Sequence, residues 1–377
     1  MTDNQKRGAL LRLQQRIEGS EAANGRDVWF WESQLGVRGW LGTADIMALT
    51  LAPGYGNFPS RGDTVLYECL QSSGMSDLHL TFLFKTRATG ATRSNLALDW
   101  DLTLRHVEYL MEEVNIVSPR LIIPFGSDAT RILDPFLGDL EVDPMNVRPL
   151  PSPFDAARDP QSFAEFRQQL DLVTAEWSNQ TIPVSYEIDD ALNDELYQVR
   201  DRIVNILLYD CGRQVYFWNR RYGVAGWSGT DPIFIVGSYP SHSLFPTDPD
   251  IFLYGELRAN GLTNAHLTDA LKASASPKDF DALRADADVM QESKFCLMRE
   301  IEIIRPRLLV VMGDKARKLI EYWLPDLQRE PTNLDPNSVM FISHYSKGFY
   351  NGNSHFRSVF QQELKVVGER FRALDQP

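Results

Sequence analysis

Cysteine is scarce in this chain. Cys69, Cys211 and Cys296 are the only three in 377 residues. Their odd number and wide spacing fit neither a disulfide framework nor a zinc or iron–sulfur site. They read as buried free thiols, and neither a metal nor another cofactor is expected. Long apolar runs are missing as well: nothing approaches the roughly 20 residues that a membrane helix needs. The first twenty residues, "MTDNQKRGALLRLQQRIEGS", lack the apolar core of a signal peptide and read as an amphipathic helix with Leu10, Leu13 and Ile17 on one face. A cytoplasmic protein with no membrane partner is the expectation.

Basic charge is in deficit. With 38 Lys and Arg against 51 Asp and Glu, the net charge is −13. Sequence-independent affinity for nucleic acid comes from cations meeting phosphates, so this balance excludes a non-specific DNA coat. A local basic groove remains open. Residues 1–187 carry 16 basic and 25 acidic side chains, residues 188–377 carry 22 and 26, and from Met290 to Ile320 the sign reverses to seven against four.

The strongest positive signal is that the chain is written twice. "FWESQLGVRGWLGT" from Phe30 aligns with "FWNRRYGVAGWSGT" from Phe217, and the offset of 187 runs without a gap to Lys85 and Lys272. Of these 56 pairs 21 are identical, too many for chance pairing, and the same offset matches "PRLIIPFGSDATRIL" from Pro119 with "PRLLVVMGDKARKLI" from Pro306. A period this long makes each copy a domain rather than a solenoid repeat. The expected domains are residues 1–187 and 188–377, joined near Ser178–Pro183.

Within each copy short apolar strands alternate with helices. In the second, "IFIVG", "LTNAHLTDALK", "RLLVVMG" and "VMFISHYS" hold strands, and "DIFLYGELRANG", "ESKFCLMREIEIIRP" and "DKARKLIEYWL" are helices. This alternation implies a parallel sheet covered on both faces, with the ligand crevice beyond the strand C-termini. The loops to inspect are Gly237–Phe245, Thr268–Ala273, Gly313–Lys315 and Ser343–Gly348.

Those loops resemble the motifs of the uracil-DNA glycosylase superfamily, in order and in spacing. The family's first motif, a strand running into Gly-Gln-Asp-Pro-Tyr-His, is matched by Gly237, Pro240 and His242; its Gly-Glu-Ala-Pro-Gly form is matched by Ala52, Pro53 and Gly54. The strand that ends in a Thr-Asn or Leu-Asn pair corresponds to Thr268-Asp269 with Lys272 and to Thr81-Phe82 with Lys85. "RPRLLVVMGDKA" and "SPRLIIPFGSDA" match the next element, and "SHYSKG" and "LPSPFD" stand for the closing His-Pro-Ser-Pro. The resemblance implies two tandem three-layer α/β/α domains, each around a four-stranded parallel sheet. It also implies DNA as partner, base flipping and hydrolysis of the N-glycosidic bond.

The family's residues carry over as follows. His344 takes the place of the catalytic histidine of the last motif, with His242 as a second catalytic candidate. No acid stands in the first motif: Tyr239 occupies the aspartate position and Ser238 the glutamate position. Asp248 is the substitute carboxylate expected, whereas Asp250 reads as a helix cap because Asp63 matches it in the other copy. Tyr239, Phe245 and Asp269 would bind the base. A carboxylate only accepts, so Asp269 turns the pocket from uracil toward an amino-bearing base such as a modified cytosine. Ser241, Lys272, Ser346, Lys347 and Ser152 are the candidate DNA contacts, Lys272 standing equally open to a plain surface role. Pro53, Gly54 and Phe58 are the first-copy counterparts of the pocket loop. The second copy is the expected working half, because the first has Phe82 and Leu150 where base-reading and catalytic groups belong. A base-modifying transferase and a non-catalytic reader of a flipped base fit the missing acid too, and the sequence fixes no oligomeric state.

Overall fold

Runs such as "IMALT" and "LLVVM" are short and almost wholly apolar, and every residue of both is buried, which suits strands covered on both faces. The computed structural model describes residues 1–53, 58–86, 100–179, 190–240, 245–275, 279–329, 331–350 and 354–374. The chain divides into two compact units, Met1–Val184 and Ser185–Pro377. In the first, strands β1 (Ile46–Thr50), β2 (His79–Phe82) and β3 (Leu121–Pro124) form a parallel sheet in the order β2-β1-β3. In the second, β4 (Asp231–Gly237), β5 (Ala265–Asp269), β6 (Leu308–Met312) and β7 (Val339–Ile342) form a parallel sheet in the order β5-β4-β6-β7. Helices pack around both sheets.

Among the described residues the expected four strands are therefore present only in the second unit. In the first, the place of the fourth is reduced to two isolated parallel bridges, Ile122 with Val147 and Phe125 with Leu150. Proline explains the loss. Arg148 and Leu150 donate their amides to Ile122 and Pro124, and Gly126 donates back to Leu150, but Pro124 between Ile122 and Gly126 has no amide to give, so no regular ladder forms.

The duplication is preserved in register: Thr50 pairs with Phe82 and, 187 residues on, Gly237 pairs with Asp269. The helices that follow β1 and β4 both open with a capping box. In Arg61–Ser72 the cap is Ser60 with Asp63; in Asp248–Ala259 it is Thr247 with Asp250. Asp250 is thus the third helical residue that completes the box, and the N-cap itself is Thr247.

Each unit also buries one Lys–Glu–His group. Lys272 Nζ lies 2.6 Å from Glu300 Oε2 and 2.5 Å from Thr268 Oγ1, and His266 Nε2 lies 3.8 Å from Glu300. Trp227 Nε1 donates to the other Glu300 oxygen at 3.2 Å. In the first unit Lys85 Nζ is 2.5 Å from Glu113, and His79 bridges Glu113 Oε2 at 3.1 Å and the Trp40 carbonyl at 2.7 Å. Burial alone would raise both glutamates, but the adjacent lysine and histidine together outweigh it and hold each carboxyl below its ordinary range. Lys272 is consequently a buried structural cation and not a phosphate contact, which corrects the phosphate role considered for it. Cys69 and Cys296 are buried, while Cys211 is only partly so. Among the described residues no helix is long and apolar enough to cross a membrane.

Removing one partner of a buried pair leaves an uncompensated charge, at about 3–5 kcal/mol. Glu300→Gln and Glu113→Gln should each destabilise their own unit by roughly that amount in urea denaturation. A variant that unfolds at the parent's midpoint would remove the ion pair from the account of that unit.

Candidate functional site

The C-terminal ends of the second unit's strands converge on a cavity of about 410 Å³. Gly237 closes β4, Asp269 closes β5 and His344 lies two residues beyond β7, so the sheet itself delivers them to one place. Phe217, Trp218, Tyr239, Phe245 and Tyr345 supply aromatic wall; Asp250, Asp269, His344 and Ser346 supply polar groups. An apolar cleft with a few convergent polar groups is the usual form of a small-ligand site.

Asp269 is only 8% exposed. Its Oδ2 accepts from Trp218 Nε1 at 3.1 Å. Its Oδ1 fills the space beside Gly237, where a Cβ would lie 2.3 Å away. Burial pushes the carboxyl up to about 7, helped by Asp250 and Glu300 and opposed by Lys272 and the Trp218 hydrogen bond. Near neutral pH the group therefore exchanges between an acceptor-only form and one that both donates and accepts.

His344 is held as a neutral ring. The Ser346 backbone N–H reaches Nδ1 at 3.3 Å, and Ser346 Oγ lies 2.8 Å from the same atom. A backbone amide can only donate, so Nδ1 accepts and the proton sits on Nε2. The ring stacks on Tyr345 at 4.6 Å and 21°. Gly313, at φ 86°, lets the β6 loop come so close that a Cβ there would lie 2.9 Å from that of His344. Burial, with Lys315 adding to it, pushes the imidazole down to about 4.

The structure separates the two candidate acids. Asp248 is exposed at the first position of its helix and does not line the cavity. Asp250 does line it, with Oδ2 accepting from the Thr247 amide at 2.9 Å and Oδ1 from the Tyr345 hydroxyl at 3.1 Å. Burial raises its carboxyl, the Thr247 and Tyr345 hydrogen bonds working against that. Asp250 is the third residue of the capping box rather than the N-cap expected of it, and the same side chain also faces the cavity. Its matched spacing across the copies revealed only the cap.

The remaining candidates divide similarly. Tyr239 and Phe245 line the cavity. Tyr239 stacks on Phe280 at 5.3 Å, and its hydroxyl accepts from Lys315 Nζ at 3.1 Å. Phe245 lies parallel to Tyr222 with centroids 6.3 Å apart. Ser346 is present through its contact with His344. Lys347 is exposed, with Nζ 4.6 Å from the Phe356 ring centroid, and it is not part of the cavity wall. His242, Ser241 and Gly54 lie outside the described residues. In the Met290–Ile320 run, Lys294, Arg299 and Arg317 are each paired with a carboxylate, of Asp326, Glu302 and Glu321.

Among the described residues the matching place in the first unit holds only a small cavity. Trp31, the counterpart of Trp218, is buried and stacks on Phe82 at 4.9 Å and 16°, with Phe58 and Tyr67 edge-on against it. Pro53 is buried as well. Ser152 accepts from the Phe154 amide at 3.2 Å and lines a cavity of about 90 Å³ with Thr50 and Gly126. Aromatic packing thus occupies the position that Asp269 keeps open in the second unit. Trp218 and Glu300 are the participants that sequence reasoning missed, although both have a partner at the 187 offset, Trp31 and Glu113; Asp250 was weighed and read as a cap.

Among the described residues no group of three or more His, Cys, Asp or Glu could hold a metal ion. Compared with known protein families and with curated proteins, the chain matches none.

The two shifted groups give opposite pH signatures. Between the ordinary 3.8 and about 7, the folded chain keeps the Asp269 proton that the unfolded chain has lost, so this group makes stability fall as pH rises. Between about 4 and 6.5, the unfolded chain holds the His344 proton that the folded one has lost, so this group makes stability rise with pH. Asp269→Asn should therefore gain stability relative to the parent from pH 4 to 7, and His344→Gln should lose it from pH 4 to 6.5. Melting temperatures across that range decide it. Each pH unit of displacement is worth about 1.4 kcal/mol, or about 3–6 °C for a domain of this size. Parallel curves for variant and parent would mean that the residue is not buried as described.

Proposed function

We propose that the second unit is a divergent uracil-DNA glycosylase-like α/β/α domain. Its cavity takes a flipped, amino-bearing base from DNA and its chemistry hydrolyses the N-glycosidic bond. One observation carries this reading: Asp269 and a neutral His344, from the ends of two different strands, line a single aromatic-walled cavity. A base must leave the stack before its glycosidic bond can be reached, and stacking on an aromatic wall returns roughly 1–3 kcal/mol per base.

Asp269 fits an amino-bearing base in both its forms. As a carboxylate it accepts from an exocyclic amine; protonated, it also donates to the adjacent ring nitrogen. When the bond between C1′ and the base nitrogen breaks, its electron pair goes to the base and the sugar becomes cation-like. The Nε2–H of His344 supplies a donor for the base oxygen as negative charge gathers there. Asp250, rather than the exposed Asp248, is the carboxylate at hand to face the cation and to orient water, whose oxygen bonds to C1′. The departing base takes up a proton. The first unit, with its aromatic plug, serves in this reading as support.

A second reading has its own support. Both oxygens of Asp250 already accept hydrogen bonds, from Thr247 and Tyr345, which suits a pocket that holds a flipped base without cutting. Incubation with DNAs that carry different modified cytosines and adenines, followed by mass spectrometry, separates the readings. Hydrolysis predicts a free base, whose release falls by about 10²–10³ in His344→Gln, as for the loss of an oxyanion donor. Base-dependent binding without release supports the reader. An enlarged base points to a transferase. Neither release nor base-dependent binding would sink the base pocket altogether.

A further inference from the structure

With Lys272 buried against Glu300, the cavity needs another cation if its ligand carries phosphate. Arg200 lines the cavity from helix Asp190–Ile203. It is exposed, and its guanidinium lies over two rings, 5.1 Å from that of Phe217 and 5.7 Å from that of Tyr197. Among the described residues it has no ion-pair partner, and it pairs with neither cavity carboxylate. Arg202, two residues on, behaves differently: it grips Glu292 through two nitrogens at 2.5 and 2.9 Å. Tyr216, 51% exposed, lines the cavity beside Arg200, and Tyr197 is 43% exposed.

The other unit provides the comparison. Its first helix buries Leu10, Leu13 and Ile17, as the second unit's buries Leu196, Val199 and Ile203. The residue after Leu13 is Gln14, where the second unit has Arg200. No Lys or Arg lines the small cavity of the first unit. The cation thus accompanies the open pocket. A guanidinium carried over aromatic faces at an exposed cavity mouth still has its N–H donors to offer, and a phosphate is the group they fit best.

We propose that Arg200 binds the phosphate next to the base held in the cavity, and that exposed Tyr216 provides a stacking face for the neighbouring base. The ligand at this mouth is then a single-stranded stretch of nucleic acid. This rests on the base-pocket reading given above.

The test is the binding of a fluorescein-labelled single-stranded oligodeoxynucleotide by the full chain over a salt series. Losing one phosphate contact lowers the slope of log K against log salt by about 0.7 for a single strand, which over one decade of salt is a loss of about fivefold at 0.1 M. Arg200→Gln should show both changes. Arg200→Lys should restore the slope, and Tyr216→Ala should weaken binding with the slope intact. A packing role for Arg200 would leave the slope unmoved, so an Arg200→Gln slope equal to the parent's overturns the phosphate contact. If His344→Gln and Asp269→Asn still weaken binding in that case, the base pocket stands without it. A parent chain that does not bind the oligonucleotide at all overturns both.

Discussion

The buried ion pair between Lys272 and Glu300 is the constraint on which the second unit's site rests. It ties the loop after β5 to helix Ala287–Ile304, three residues beyond Asp269. It also fixes the lysine on a carboxylate other than Asp269. Asp269 is left in a buried place with its nearest cation already committed to another carboxylate, and burial then raises it. The same pair persists in the first unit, where Phe82 replaces the aspartate. The pair therefore belongs to the fold, and the chemistry of the neighbouring position is free to vary around it.

Two matched places show how far that freedom goes. In the first unit Trp31 lies flat on Phe82; in the second Trp218 donates its indole N–H to Asp269. The indole is retained while its role changes from packing surface to hydrogen-bond donor. An apolar partner draws the ring inward and closes the space, whereas a carboxyl holds it by the nitrogen and leaves a wall around a cavity. Duplication made this contrast available within one chain, with frames alike in register at Thr50–Phe82 and Gly237–Asp269.

Much of this was legible in the sequence because the signals were local. The repeat, the short apolar strands and the loops after them are patterns of neighbouring residues, and they led to Asp269 and His344. What escaped depends on partners distant along the chain. Lys272 reads as a possible phosphate contact until Glu300, on another helix, is seen beside it. Asp248 and Asp250 cannot be ranked by spacing, because only the turn of the helix decides which of them faces inward. Pro124 stands in plain sight within an apolar strand, but that its missing amide interrupts a fourth strand shows only once Arg148 and Leu150 are seen beside it. Arg200 had no signal: its place at the cavity mouth arises from packing two residues before an arginine of a quite different kind.

Gly237 and Asp269 share one slot, since the carboxyl oxygen occupies the volume that a side chain on β4 would need. The first unit fills the matching positions with Thr50 and Phe82. The two positions therefore vary as a pair: Phe82 turns its ring onto Trp31 and leaves room for Thr50, whereas Asp269 sets one oxygen in the space of a β4 side chain and offers the other to Trp218. A side chain at position 237 would displace the first oxygen and, with it, the carboxyl that holds the indole in the cavity wall.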